Sequence, residues 1–166
     1  MRTLLLLRHG KAGEYRDTQQ GDKARRLTAQ GRREAAEMGG RLPGIAGRLD
    51  GVVSSDAERA LETARIAASG AGYGGRIRVE HDLYATDVDT MLDVVRGLPD
   101  DEECVLLVGH NPSFEYLATA LAEEGTNEPS LSTGGLVHLA LDAARWRDVR
   151  PGTGKLLGVY APGDGR

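Results

Sequence analysis

Short, continuous apolar runs alternate with amphipathic segments along this chain, and the alternation restricts the folds that it can adopt. The first run, TLLLL (3–7), suits a strand that is buried on both faces of a parallel sheet. Further short runs follow, and each predicts another strand: LDGVVSS (49–55), IRVE (77–80), CVLLVGH (104–110), GGLVHLAL (134–141) and KLLGVYA (155–161).

The segments between these runs carry apolar residues at helical spacing. Thr28 is the predicted N-cap of a helix that ends near Leu42, and residues 55–69 form a second predicted helix. Two more helices are indicated by Val88, Met91, Leu92, Val95, Phe114, Leu117, Ala118 and Leu121. The alternation predicts an α/β fold, a three-layer α/β/α sandwich with a central, mostly parallel sheet. We expect one domain over residues 1–166, with a frayed tail over about 161–166.

The charge balance and the cysteine count argue against several classes of function. The formal net charge is −4 and aromatic residues make up 4% of the chain, which disfavours general binding to nucleic acid or to anionic membranes. The sole cysteine, Cys104, excludes an intrachain disulfide framework and a multi-cysteine zinc site, and the four histidines show no metal-ligand spacing. The leucine run is too short for a secretory signal or a membrane span, so we expect a cytoplasmic protein.

Polar groups follow three of the predicted strands at the point where each strand ends. They are Arg8 with His9, Ser54 with Ser55, and Gly109 with His110. A buried charge is costly unless it is paired, so partners are expected at the end of TLLLL. Sites in open α/β sheets lie beyond the carboxyl ends of the strands. If the three strands are neighbours, their polar ends converge on one crevice.

The segment SSDAERALETA (54–64) carries the signature of a helix start. Ser55 and Glu58 have the S-x-x-E spacing of a capping box, and Arg59 then lies in or near the first turn. A cation in the first turn opposes the helix dipole. Arg59 is therefore either a solvated side chain paired with a nearby glutamate or, in the functional interpretation, a ligand of an anion that binds at this helix start.

The segment VGHNPS (108–113) repeats this arrangement, with a histidine between a strand and a helix. Asn111 is a predicted helix cap, and Pro112 suits the first helical position. His110 by itself would be expected to satisfy a buried turn. Together with His9 and two arginines at converging strand ends, it forms a coherent phosphate pocket, because guanidinium groups bind phosphate oxygens in bidentate geometry.

Such a pocket supports phosphoryl transfer without a metal ion or another cofactor. A neutral imidazole can attack phosphorus and form a covalent phosphohistidine. A second histidine, when protonated, can stabilise the phosphoryl group during transfer. The composition of the pocket therefore predicts an enzyme rather than a passive binder, since binding alone requires no nucleophile.

Three motifs, LLLLRHG, SSDAERALETA and VLLVGHNPS, resemble those of the histidine phosphatase (phosphoglycerate-mutase-like) superfamily and occur in that family's order. The resemblance covers nearly the whole chain. More narrowly, the chain resembles the SixA-type phosphohistidine phosphatases, which are short members without the long insertions of the mutases. RRLTAQGRREAAEMGGRL (25–42) is similar to their R-P-L-T-x-x-G segment, and LSTGGLVHLAL (131–141) is similar to a late strand of that group.

The resemblance implies a role for each matching residue. His9 would be the phosphorylated nucleophile, Arg8 and Arg59 would hold phosphate, and His110 would be the second histidine of the pocket. The arginine of R-P-L-T corresponds to Arg25, which would be an additional phosphate contact. This chain has Arg26 where the group has proline, so the sequence leaves open which of the two arginines faces the site.

A carboxylic acid that protonates the leaving group is not evident in the sequence. Many members of the superfamily carry a glutamate after the third strand or an aspartate after the second histidine, but here those positions correspond to Ala85 or a neighbour and to Asn111. Nearby carboxylates are Asp82, Asp87 and Asp89. We list Asp87 as a possible acid, although a role in complementing the dipole of a helix start is favoured. Without an acid, the enzyme should prefer easy leaving groups, and phosphohistidine qualifies because its nitrogen can leave as a neutral imidazole.

These inferences predict a cofactor-independent phosphatase that acts on phosphohistidine in proteins through a phosphorylated His9. One alternative is a phosphatase of small phosphorylated metabolites, either a phosphomonoesterase or a pyrophosphate-type enzyme, with Asp87 or Glu14 as the acid. An alternative of another class is a phosphate-dependent binding or regulatory module without turnover. Mutase activity is disfavoured by the short chain. The family analogy favours a monomer, with a phosphorylated protein or metabolite as its partner and no nucleic acid or membrane.

Overall fold

The computed structural model describes residues 1–14 and 21–164, and these contain one six-stranded sheet. Its strands are β1 (Arg2–Arg8), β2 (Gly51–Ser54), β3 (Ile77–Val79), β4 (Cys104–Gly109), β5 (Leu136–Leu141) and β6 (Gly154–Tyr160). The α-helices are α1 (Ala29–Ala46), α2 (Glu58–Gly70), α3 (Val88–Arg96) and α4 (Ser113–Leu121). The strand order is β3-β2-β4-β1-β5-β6. Strands β1 to β4 pair in parallel, whereas β5 and β6 are antiparallel to their neighbours, so the mostly parallel sheet is confirmed.

The leucine run of β1 contributes to apolar layers on both faces of the sheet. Leu4 and Leu6 pack in one layer with residues of α3 and α4. Leu5 and Leu7 pack in the opposite layer with residues of α1 and α2. All four leucines are fully buried. A continuous apolar run is therefore what this central strand requires, and the predicted three-layer α/β/α architecture is confirmed.

Helix α1 begins at the predicted cap and ends later than predicted. The Thr28 hydroxyl accepts a hydrogen bond from the Gly31 N–H at 3.1 Å, which confirms the N-cap. The helix continues through Pro43 for about one more turn and ends where Gly47 adopts a positive φ of 76°. No helix in the described part of the chain is long and apolar enough to cross a membrane.

The start of α2 lacks the predicted capping box. Its N-cap is Ala57, and no side chain caps the helix. The Ser55 hydroxyl instead lies 2.8 Å from Nε2 of His110, a residue from a different strand end, and accepts a long hydrogen bond of 3.3 Å from the Ala57 N–H. The prediction of a Ser55–Glu58 capping box is wrong because the Ser55 hydroxyl contacts His110 instead.

The start of α4 also differs from the prediction. Pro112 is the N-cap rather than the first helical residue, and no side chain caps the helix. The side-chain amide of Asn111 donates from Nδ2 to the carbonyl of Leu131 at 2.9 Å. Asn111 therefore satisfies a backbone group of a distant loop, and its predicted capping role is wrong.

The carboxyl-terminal segment contacts α1, so the predicted frayed tail is wrong over residues 161–164. Asp164 forms an ion pair with Arg41 at 2.8 Å and accepts a hydrogen bond from the Ala161 N–H at 2.7 Å. The Gly163 N–H donates to Glu37 at 2.6 Å. These contacts hold a turn against the helix. The last two positions of the predicted tail, residues 165–166, lie outside the described residues.

Candidate active site

The strand order brings the three polar strand ends together. β4 lies between β1 and β2, with Arg8 opposite Gly109 and Ser54 opposite Val108 in the register. The His9 N–H continues this pattern by donating to the carbonyl of Gly109 at 3.0 Å. The convergence expected from the sequence is therefore present at the carboxyl edge of the parallel strands.

A cavity of about 430 Å³ opens at this edge. It is lined by Arg8, His9, Asp22, Arg25, Arg59, Tyr84, Ala85, His110, Asn111, Pro112 and Ser113. Three guanidinium groups and one carboxylate face it, so the charged side chains of the described lining are predominantly cationic. This composition suits an anion such as a phosphoryl group.

The orientation of the His9 ring is set by the backbone that follows it. Nδ1 lies 2.7 Å from the carbonyl oxygen of Gly10, which can only accept, so Nδ1 carries the proton. The other ring nitrogen, Nε2, then has a free lone pair and accepts a hydrogen bond from Nε of Arg59 at 3.3 Å. The Gly10 N–H donates to the Thr63 hydroxyl at 3.1 Å, which anchors the turn to α2.

Close packing explains why a glycine follows His9. A Cβ atom on Gly10 would lie 2.4 Å from the carbonyl oxygen of Gly31, and a Cβ atom on Gly31 would lie 2.1 Å from the carbonyl oxygen of Lys11. The turn after β1 therefore contacts the first turn of α1 directly, backbone against backbone. This contact fixes the position from which His9 projects into the cavity.

Burial keeps His9 neutral. The residue is 9% exposed, and desolvation lowers its pKa to about 4, with further lowering by the charges of Arg59 and Arg8 and an opposing effect of the hydrogen bond to Gly10. A neutral imidazole with a lone pair on Nε2 is the form that attacks phosphorus.

His110 lies beside His9, with ring centroids 5.2 Å apart. Burial, then the neighbouring His9 and Arg59, lowers the pKa of His110 to about 3. Without an anion in the cavity, desolvation and the neighbouring His9 and Arg59 therefore oppose the protonated form of His110. A phosphoryl dianion bound nearby would act in the opposite direction and favour protonation.

Arg8 and Arg59 both face the cavity, as predicted. Nη1 of Arg8 donates to the Leu131 carbonyl at 2.8 Å, while its buried Nε meets no acceptor among the described residues. Arg59 is 6% exposed and is the second residue of α2, so its position in the first turn is confirmed. The buried, unpaired N–H of Arg8 is suited to a phosphoryl oxygen, since such a group is costly without an acceptor.

The structure distinguishes the two arginines that the sequence left open. Arg25 lines the cavity, with Nε donating to the Gly13 carbonyl at 2.7 Å and Nη1 pairing with Asp22 at 2.8 Å. Arg26 is exposed and lines a separate surface groove with Lys23 and other residues. Arg25 is therefore the arginine of this pair that faces the cavity.

Asp22 and Tyr84 line the cavity and were not among the predicted site residues. The Asp22 carboxylate accepts hydrogen bonds from Nη2 of Arg59 at 2.9 Å, from Nη1 of Arg25 at 2.8 Å and from the Tyr84 hydroxyl at 2.6 Å. The Tyr84 ring lies edge-on to His110, with centroids 5.4 Å apart. The sequence gives one indication of a role for Asp22, which is its position three residues before Arg25 in a segment without periodicity.

The carboxylates considered as possible acids lie away from the cavity lining. Asp87 is exposed and caps α3, accepting a hydrogen bond from the Thr90 N–H at 2.8 Å that lowers the pKa of Asp87. Asp87 therefore occupies the helix-start position that the sequence favoured and does not line the cavity. Ala85, where a family acid was expected, does line the cavity and has a positive φ of 47°. Asp82, Asp89 and Glu14 are exposed and are not part of the described lining.

The described residues contain no group of three or more histidine, cysteine, aspartate or glutamate side chains that could hold a metal ion. Cys104 is a free, buried thiol on β4, and burial raises its pKa to about 11. Cys104 does not line the cavity.

Comparison with known proteins agrees with the geometry of the cavity. Residues 4–91 match the family model of the histidine phosphatase superfamily (branch 1). A relative is the uncharacterized protein ML1117 of Mycobacterium leprae, which is 30% identical over 148 residues that cover 85% of this chain and 89% of ML1117.

Two solved structures of SixA-type proteins are also similar. One is assigned as the phosphohistidine phosphatase SixA of Nakamurella multipartitia, with 29% identity, a TM-score of 0.81 and coverage of 97% of this chain and 96% of that chain. The other carries the same assignment in Agrobacterium tumefaciens, with 26% identity, a TM-score of 0.80 and coverage of 98% and 99%.

Proposed function

Since the chain belongs to the histidine phosphatase superfamily and is a phosphatase, we propose that it hydrolyses phosphohistidine in proteins through a phosphorylated His9. In this proposal, Arg8, Arg25 and Arg59 bind the phosphoryl oxygens and His110 stabilises the group during transfer. The observation that carries the proposal is a neutral His9 whose Nε2 lone pair faces Arg59 within a cationic cavity.

The proposed reaction has two steps. In the first, Nε2 of His9 forms a bond to phosphorus while the bond between phosphorus and the substrate nitrogen breaks. The leaving nitrogen takes the electron pair and departs as a neutral imidazole when the other nitrogen of the substrate ring carries a proton. In the second step, water attacks phospho-His9, releases inorganic phosphate and regenerates the neutral imidazole.

The described lining of the cavity offers no carboxylic acid that can donate a proton to the leaving group, and this favours phosphohistidine over a phosphate monoester. Partial burial acts to raise the pKa of Asp22, but hydrogen bonds from Tyr84, Arg25 and Arg59 outweigh it and hold that pKa well below its usual range. The hydrogen bond to Asp22 raises the pKa of Tyr84. An alkoxide leaving group needs a proton, whereas an imidazole leaving group already carries one.

The proposal extends to the setting in which the enzyme works. The SixA assignment of two similar structures supports a phosphorylated protein as the partner. We propose a monomer with a single domain over residues 1–166 in the cytoplasm.

The experiment that tests the proposal is a substrate panel that compares a phosphohistidine peptide, phosphoramidate and a sugar phosphate. We expect kcat/KM for the two P–N substrates to exceed that for the sugar phosphate by about 100-fold or more. Hydrolysis of the sugar phosphate needs general acid catalysis, which contributes about 10²–10⁴-fold, and the described lining of this site lacks a carboxylic acid to supply it. His9→Ala should abolish turnover. His81→Ala is the matched control, because His81 is exposed and does not line the cavity.

Phosphorus-31 NMR or mass spectrometry of the acid-sensitive adduct should detect phospho-His9 in the wild-type protein. Equal kcat/KM for the sugar phosphate would favour a phosphatase of small metabolites instead. Anion binding without phosphate release from any substrate would indicate a binding module. Either result would overturn the proposed substrate.

A further inference from the structure

One carboxylate, that of Asp22, links three side chains of the cavity that come from different parts of the chain. Arg25 is three residues away, Arg59 is in the first turn of α2, and Tyr84 precedes α3. Oδ1 accepts from Arg25, and Oδ2 accepts from both Arg59 and Tyr84, at distances of 2.6 to 2.9 Å. The carbonyl of Asp22 also accepts from Nη1 of Arg59 at 2.7 Å.

The contacts of Arg59 divide between the two donor edges of its guanidinium group. A guanidinium has one edge formed by Nη1 and Nη2 and a second edge formed by Nε and Nη2. The carbonyl and the carboxylate of Asp22 occupy the first edge. The second edge is directed to His9, because Nε donates to Nε2 of that ring. This second edge is where the oxygens of a phosphoryl group on His9 would be bound.

We propose that Asp22 is a positioning residue, which holds Arg59 and Arg25 by their outer N–H groups so that their remaining donors face the phosphoryl group. This inference rests on the proposed function of His9 and deepens it, since it assigns the orientation of the phosphate-binding arginines to a residue that does not itself touch the phosphoryl group. Tyr84 completes the carboxylate's set of donors.

The charge of Asp22 would repel a phosphoryl anion, so the alternative role is a plug that occupies the arginines until substrate displaces it. Two guanidinium groups surround the single carboxylate, and the cluster of Asp22, Arg25 and Arg59 therefore keeps a net positive charge. Displacement of the carboxylate would also have to break the three hydrogen bonds that it accepts, all of which are charge-assisted. These contacts favour a carboxylate that stays in place.

The test measures the dissociation constant of inorganic phosphate for Asp22→Asn, with Asp56→Asn as the matched control. Both variants remove one negative charge from the same region, since Asp56 pairs with Lys23, the residue that follows Asp22. Asp56 forms no hydrogen bond or ion pair with the cavity arginines, so it separates the loss of charge from the loss of positioning. We expect phosphate to bind about tenfold more weakly to Asp22→Asn than to Asp56→Asn, as the loss of a charge-assisted hydrogen bond predicts. Equal or tighter binding to Asp22→Asn would overturn the proposal, and tighter binding would indicate a plug.

A double-mutant cycle separates positioning from a general effect on the fold. In an Arg59→Gln background, the effect of Asp22→Asn should fall to about threefold, the share that acts through Arg25. An effect that stays tenfold would show that Asp22 does not act through Arg59, which contradicts the inference. Phosphate binding requires no turnover, so these measurements remain decisive even if the enzyme proves to act on a substrate other than phosphohistidine.

Tyr84→Phe provides a second variant if Asp22→Asn does not fold, as judged by its melting temperature. It removes one donor to Asp22 without changing any charge, and phosphate affinity should fall by about threefold. An unchanged or higher affinity for this variant would count against the inference.

Discussion

His9 is a buried histidine whose surroundings combine to keep it neutral. Desolvation is the largest effect, and the charges of Arg59 and Arg8 add to it. The Gly10 carbonyl assigns the ring proton to Nδ1, which leaves the lone pair on the nitrogen that faces Arg59. The same residues that would bind the phosphoryl group therefore also keep the nucleophile in its reactive form.

The protonation of His9 can be measured by nitrogen-15 NMR of the imidazole rings. We expect the His9 signals to show a neutral ring with the proton on Nδ1 at neutral pH and to titrate near pH 4, the value to which its pKa is lowered. The same ring in urea-unfolded protein should titrate near 6.5, as exposed histidines do. A midpoint near 6.5 in the folded protein, or a proton on Nε2, would contradict the assigned role.

Apart from Arg25, which only the family resemblance indicated, the cavity residues that could be predicted lie beside an element with a clear pattern. Arg8, His9 and His110 lie at the ends of apolar runs, and Arg59 lies in the first turn of a helix with clear periodicity. Asp22 and Tyr84 could not be predicted in this way because they lie in irregular segments. Their contribution depends on hydrogen bonds across 37 and 62 residues, which no local pattern records.

At the scale of elements, α1 and α2 approach closely enough that a glycine is required at their contact. A Cβ atom on Gly39 would lie 2.7 Å from both the Cα and the carbonyl oxygen of Ala67. Gly40 follows directly on the same helix, and a Cβ atom there would meet nothing within 4 Å. This close approach matters for the site because α1 supports the turn after His9 and α2 carries Arg59.

The contact between these helices predicts opposite effects for two neighbouring substitutions. Gly39→Ala should lower the free energy of unfolding by about 1–3 kcal/mol, because the added methyl group overpacks the contact. Gly40→Ala should raise it by about 0.5–1 kcal/mol, because alanine in an exposed helix interior loses less backbone entropy than glycine. Urea denaturation of both variants gives the comparison. A destabilised Gly40→Ala, or a stabilised Gly39→Ala, would disagree with the helix contact.

The helix starts show where local patterns and tertiary contacts diverge. Thr28 caps α1 as predicted, because its hydroxyl oxygen accepts from the Gly31 N–H while the hydroxyl proton is donated to the Lys11 carbonyl. Ser55 and Asn111 have equally good capping chemistry, but His110 and the Leu131 carbonyl engage their side chains instead. The cap predictions therefore failed where a tertiary contact engages the side chain, and the prediction for Thr28 is confirmed.

At the scale of the whole molecule, the alternation of strands and helices predicts the layers but not the order of the strands. β1 pairs with β4 across about 100 residues, and this pairing places Arg8 and His9 next to His110. Strand order depends on such long-range pairing, so the sequence supports convergence of the strand ends only as a conditional expectation. Local patterns also do not predict that β5 and β6 join one edge of the sheet in antiparallel orientation.

The assembled fold buries three histidines that the unfolded chain would protonate in mild acid, and two of them, His9 and His110, line the cavity. Burial lowers the pKa of His9 to about 4 and that of His110 to about 3, whereas both would titrate near 6.5 in the unfolded chain. Between these limits the unfolded chain binds more protons than the folded protein. Stability must therefore rise with pH from about 4 to about 6.5 and level off above that range.

This linkage predicts a measurable loss of stability when the pH falls from 7 to 5 in phosphate-free buffer. Each of the two histidines should contribute about 2 kcal/mol to the loss of unfolding free energy, because each must stay neutral in the folded protein. The double variant His9→Asn/His110→Asn should lose about 4 kcal/mol less over the same interval, as measured by urea denaturation at the two pH values. Asp22 does not confound the comparison, since its lowered pKa affects stability only below about pH 4. If the double variant and the wild-type protein lose the same free energy, the two imidazoles are not held neutral by the fold, and the nucleophilic form of His9 would need another origin.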